Sequence, residues 1–158
     1  MSKSGTANFK EQILHKHVFE GIPYLKLLGI RLDFANDELR VALPYSKQII
    51  GNPDLPAIHG GVTASLLEIT ARVTLCLKIL SAGPQYETKA TILSEQDLEL
   101  PKTISFYVDY LRSGKPLDSF ARAKIYRMGR RYASVQVEAW QDDRSRMFAQ
   151  GTGHFLLI

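Results

Sequence analysis

Apolar residues recur at spacings of three and four across residues 60–80, at Val62, Leu66, Ile69, Val73, Leu77 and Leu80. The pattern predicts one helix of about six turns with a single stripe facing a core. Gly83-Pro84 ends it. Upstream, residues 29–34 and 38–43 alternate apolar with polar around Ala35-Asn36-Asp37, which predicts a hairpin of two half-buried strands. Residues 9–28 carry helix-like spacing interrupted at Gly21-Ile22-Pro23, which predicts two short helices.

The second half changes period. Ile104, Phe106, Val108 and Tyr110 alternate with Ser105, Tyr107 and Asp109, and residues 120–126, 133–140 and 147–157 read as further strands. Turns are expected at Ser113-Gly114-Lys115-Pro116, Met128-Gly129 and Asp142-Asp143. Residues 81–101 exceed the ~12–15 residues usual for a structureless connection, and read as a lid with local structure or as an insertion. The order is two strands, a long helix and a meander of at least four strands. That predicts one α+β domain, an antiparallel sheet of about six strands wrapped round a helix. One helix cannot cover such a sheet, so its open edges and apolar face predict a homodimer.

Composition narrows the class. A chain of 158 residues with 45% hydrophobic and 23% charged residues forms a globular domain and is not disordered. The 20 basic and 16 acidic residues leave a formal charge of +4, spread along the chain without a basic run or interleaved aromatics, so no nucleic-acid partner is expected. Met1-Ser2-Lys3-Ser4-Gly5 lacks the apolar segment of a secretory signal, and no stretch approaches a membrane span. A cytoplasmic location without membrane association is expected. The single Cys76 cannot form an internal disulfide and lies beside the core stripe, where it packs. His15 and His17, two apart on a helix, do not share a face, so no metal pair is expected.

Candidate chemistry concentrates at His59-Gly60-Gly61 and Glu68. Two glycines opening a helix cost about 1 kcal/mol each relative to Ala. Either they ease entry to the helix, or they allow a carbonyl or anion to approach its unpaired first-turn amides. Glu68 lies about 120° from the apolar stripe, flanked by Ala64, Ala71 and Leu75. It forms a surface ion pair with Arg72, four residues on, or serves as a functional carboxylate on a face covered by a partner. Gly60 and Glu68 are separated by about 12 Å of helical rise, too far to act on one carbonyl. If both serve one site, they come from different chains, and antiparallel helices across a dimer would give two composite sites.

His59-Gly60-Gly61, a long helix and an acidic residue nine positions after the His resemble the hotdog-fold acyl-CoA thioesterases of the phenylacetate-degradation and hydroxybenzoyl-CoA type. Tyr110-Leu111-Arg112, the run Ala121-Arg122-Ala123-Lys124-Ile125-Tyr126-Arg127-Met128-Gly129-Arg130-Arg131, and Ala149-Gln150-Gly151-Thr152-Gly153-His154-Phe155 resemble that family's later strands in order and spacing. The likeness covers about residues 29–157. It implies hydrolysis of an acyl-CoA thioester, with the Gly60 amide stabilising the oxyanion and Glu68 of the other subunit as general base or nucleophile. It also implies that His59 orients the loop or the substrate carbonyl, that Gly61 belongs to the same catalytic site and that Thr103 positions water. Asn52 stands for the family's Asn, though seven residues before His59 and with Leu55-Pro56-Ala57 where the family carries a glycine. Arg112, Lys115, Arg127, Arg130 and Arg131 would bind the CoA phosphates. No metal or redox cofactor is implied. A non-catalytic acyl-CoA-binding module and a hotdog hydratase or dehydratase stay open as other functions, as do the acyl length and the pairing of dimers into a tetramer.

Overall fold

The computed structural model describes residues 12–35, 38–82 and 100–157. Helical residues 12–20 end in a π-helical turn, Lys16–Glu20, and a short helix follows at Pro23–Leu28. Its carboxyl end is closed by Gly29, whose φ of 67° places it in the left-handed region that glycine reaches without strain. The predicted hairpin is present as β1 (Arg31–Ala35) and β2 (Glu38–Leu43). Two short strands then appear, β3 (Ile50–Asn52) and β4 (Ala57–Ile58), before the central helix Gly60–Ala82. Beyond it come β5 (Lys102–Tyr110), β6 (Ser119–Met128), β7 (Tyr132–Trp140) and β8 (Ala149–Leu156). Of the expected 81–101 segment, residues 83–99 lie outside the described residues.

The main sheet is antiparallel, six-stranded, and ordered β1-β2-β6-β7-β8-β5. The α+β architecture therefore stands, but the expected four-strand meander is corrected to three strands, β6-β7-β8. Residues 113–116 do not close a hairpin. The Gly114 carbonyl instead accepts the Ile58 amide, and the Leu111 and Arg112 amides bond Phe148, so this segment crosses the end of the central helix. Among the described residues β5 consequently pairs only with β8 and forms an edge of the sheet.

The central helix is enclosed more completely than one stripe requires. Val62, Leu66, Ile69 and Val73 are buried as expected, and so are Leu67, Ala71 and Leu75 on the other side. A partner is therefore not needed to cover Ala71 and Leu75. The N-terminal helical residues Leu14, Val18, Leu25 and Leu28 join the same hydrophobic cluster as the inward faces of β2, β7 and β8, and a helix enclosed on most of its circumference is apolar on most of it. Close packing also explains Gly151-Thr152-Gly153. A Cβ on Gly153 would stand 2.5 Å from the Phe106 ring and one on Gly151 2.8 Å from it, so the two glycines seat that side chain of the neighbouring strand.

Candidate active site

His59 precedes the central helix and closes its first turn. Its carbonyl accepts the amides of Val62 at 3.0 Å and Thr63 at 3.1 Å, and its Nδ1 accepts the Gly61 amide at 3.0 Å. The Thr63 bond is the first internal one of the helix, so the four amides left without internal partners are those of residues 59–62. His59 accepts two of them, those of Gly61 and Val62, the Ile49 carbonyl accepts the His59 amide, and the Gly60 N–H has no acceptor among the described residues. It carries the partial positive charge of the helix terminus.

Neighbouring chain fixes this arrangement. The His59 amide donates to the Ile49 carbonyl at 2.8 Å, which ties the loop to the turn before β3. A Cβ on Gly51 would lie 2.7 Å from the His59 Cα, so β3 passes this close only because residue 51 is glycine. At the end of β5, the Tyr110 hydroxyl donates to the Gly60 carbonyl at 2.9 Å. A Cβ on Gly60 would meet the Tyr110 ring at 3.4–3.5 Å, which is ordinary contact. Packing within the chain thus does not demand glycine at position 60.

A second cluster lies two turns along the helix. Glu68 is half-buried, and its Oε1 accepts the hydroxyl of Thr103, near the start of β5, at 2.6 Å. Arg72 is engaged elsewhere, its Nε donating to the Pro101 carbonyl at 2.9 Å. The alternative of a Glu68–Arg72 ion pair is not realised among the described residues. Glu68 therefore keeps one carboxylate oxygen for another hydrogen-bond donor. Cys76, two turns further on, is buried, and burial pushes its thiol pKa up to about 12. It stays protonated and unreactive at neutral pH.

The structure thus brings together His59, Gly60 and Gly61 at one end of β5 and Glu68 with Thr103 at the other. Asn52 takes a turn role, its Oδ1 accepting the amides of Asp54 at 3.0 Å and Leu55 at 3.3 Å. The five basic residues are divided. Arg112 and Lys115 line a small cavity of about 50 Å³ with Gln141 and Arg146, in the segment that crosses the helix entry. Arg127, Arg130 and Arg131 lie at the β6–β7 turn, at the opposite end of strands about 30 Å long. The two groups thus lie at opposite ends of β6 within one chain. The physical reason is that a cross-sheet loop and a hairpin turn, adjacent in sequence, emerge from opposite ends of β6. Tyr110 and Gly51 carry no sequence signal of a site role, because an alternating aromatic on a strand reads as packing and a close approach exists only in three dimensions.

Comparison with known proteins gives this geometry its family. Residues 52–156 match the acyl-CoA thioesterase N-terminal domain. The chain is 28% identical over 124 residues to the medium/long-chain acyl-CoA thioesterase YigI of Salmonella typhimurium, covering 78% of each protein. A solved Chromobacterium violaceum protein is 32% identical, with a TM-score of 0.66 over 96% of this chain and 95% of that one. A Bacillus halodurans protein solved with CoA has the same fold at 20% identity and a TM-score of 0.66, over 100% of this chain and 95% of that one. With the family match spanning residues 52–156 and the long helix packed on a six-stranded antiparallel sheet of the hotdog fold, the chain belongs to the acyl-CoA thioesterase N-terminal domain family.

Proposed function

We propose that this acyl-CoA thioesterase works as a homodimer with two composite sites, each joining Gly60 of one protomer to Glu68 of its partner. The position of β5 carries this proposal. Tyr110, against Gly60, and Thr103, on Glu68, are seven residues or about 23 Å apart along that strand. β5 is an edge with Ile104 55%, Tyr107 69% and Tyr110 56% exposed. Antiparallel pairing of two such edges about a two-fold axis brings the Gly60 end of each beside the Glu68 end of the other.

In each site the thioester carbonyl oxygen lies against the Gly60 N–H, a donor already oriented and free. Glu68 accepts a proton from water. The resulting hydroxide adds to the carbonyl carbon, and the tetrahedral oxyanion collapses with cleavage of the C–S bond. Carboxylic acid and CoA thiol are released, the thiol taking the proton held by Glu68. The role of general base is favoured over nucleophile by the Thr103 hydroxyl. It donates to Oε1, so its lone pairs and the remaining carboxylate oxygen can hold a single water between them. The chain supplies every group this chemistry needs, without a resident metal or redox cofactor. Arg112 and Lys115 are the cations at the Gly60 end for the CoA phosphates, and Arg127, Arg130 and Arg131 would reach that nucleotide only from the partner. The name of the YigI relatives supports medium- to long-chain acyl groups. A CoA substrate and an unpaired, buried Cys76 fit a cytoplasmic setting.

Coexpression tests the shared site. Gly60→Pro removes the N–H at a first helical position that accepts proline, and Glu68→Ala removes the base. Each homodimer should be inactive, whereas purified heterodimers should regain about half the wild-type rate from one intact site per dimer. Heterodimers as inactive as the homodimers would refute the composite site.

A further inference from the structure

The peptide unit between Gly60 and Gly61 is held at both ends. Its carbonyl accepts the Tyr110 hydroxyl at 2.9 Å, and its N–H donates to His59 Nδ1 at 3.0 Å. Glycines have more backbone freedom than other residues, so a Gly-Gly step at a helix start would by itself leave the adjoining Gly60 N–H poorly directed. Two side chains from different parts of the chain remove that freedom.

A backbone amide can only donate. His59 Nδ1 is therefore the acceptor, and the neutral ring carries its proton on Nε2. A hydrogen bond to a peptide carbonyl also polarises that peptide and strengthens its N–H as a donor. The contacts thus form one chain, from the Tyr110 hydroxyl through the Gly60–Gly61 peptide to His59 Nδ1.

Given the composite site proposed above, we infer that Tyr110 is a positioning residue for acyl-CoA hydrolysis: by clamping the Gly60–Gly61 peptide against His59, it directs the Gly60 N–H and holds His59 as an Nε2–H donor. Tyr110 acts through the backbone, whereas Glu68 acts on the reacting atoms. Its contribution belongs to the oxyanion, which exists only after attack, so its loss lowers kcat more than it raises KM.

The test is Tyr110→Phe, which retains the ring against Gly60 and deletes the donated hydrogen bond. Expected are a fall in kcat of about 10-fold with KM changed less than about 2-fold, and a thermal midpoint within about 2 °C of wild type. In protein labelled with ¹⁵N-histidine, the ring-nitrogen shifts of His59 should show the Nε2–H tautomer in wild type and a tautomer mixture in the variant. A wild-type kcat in Tyr110→Phe, or a KM effect equal to the kcat effect, overturns the inference. So does an Nδ1–H tautomer in the wild-type protein, a result that stands even if the variant does not fold. If the wild-type chain hydrolyses no acyl-CoA, the thioesterase mechanism fails, and the His59 shifts in the two proteins still decide whether the clamp exists.

Discussion

In the proposed mechanism the two ends of β5 solve different chemical problems with different materials. At the Tyr110 end the working group is a backbone N–H, held by a glycine pair, a histidine ring and a phenol. At the Thr103 end it is a carboxylate, held by one hydroxyl. An oxyanion needs a donor that is oriented before charge develops, and a peptide at a helix terminus is rigid, polar and already aligned with the helix dipole. A base must change protonation state during turnover, which a peptide cannot do and a carboxylate can. The same division makes the two ends fragile in different ways. The backbone end is lost through whatever disturbs its geometry, and the carboxylate end through loss of one side chain.

The largest break in that comparison is at Glu68. Glu68→Ala should lower kcat by two or more orders of magnitude while leaving the circular dichroism spectrum and the mass in solution unchanged, because Glu68 is only half-buried and its neighbours Ala71 and Leu75 pack without it. Thiol release from acyl-CoA measures the rate. A variant that hydrolyses at the wild-type rate would remove Glu68 from the chemistry. An intermediate effect belongs to its partner. Thr103→Val keeps shape and deletes the hydroxyl that donates to Oε1, and should cost about 10-fold in kcat, the scale of one hydrogen bond to a charged group. A loss as large as that of Glu68→Ala would instead place Thr103 on the reacting atoms.

How far each end was legible in the sequence follows from the same contrast. Glu68 stands out in one dimension because a charge about 120° from the apolar stripe sits among the apolar neighbours Ala64, Ala71 and Leu75. The helix itself, expected over 60–80 and observed over Gly60–Ala82, is visible for the same reason: long periodic segments carry many independent matches. The Gly-Gly step announces an unusual helix start, but neither Tyr110 nor Gly51 carries any mark of what it touches there. Their roles arise when β5 is placed at the sheet edge and β3 beneath His59, and those placements depend on the 113–116 segment crossing the helix entry rather than closing a hairpin. A Gly-Pro-containing turn signal reports that the chain bends, not which strand it meets next. The strands β3 and β4, of three and two residues, are too short for any alternation to register.

The smallest expected effect sharpens the boundary of the backbone end. Family resemblance sets Asn52 among the catalytic residues, whereas its Oδ1 accepts two amides of its own turn, those of Asp54 and Leu55. Such side-chain-to-backbone bonds are how Asn fixes a turn. That turn links β3 to β4, and β3 sets the distance to His59. Asn52→Ala should therefore lower stability by about 1 kcal/mol, read as a shift in the urea midpoint, and change kcat by less than about 2-fold when assayed well below that midpoint. A larger drop in kcat at unchanged stability would mean that the Asn52 amide nitrogen, not engaged by the turn, meets the substrate. The backbone end would then contain a side-chain donor after all, and the division between the two ends of β5 would be one of degree.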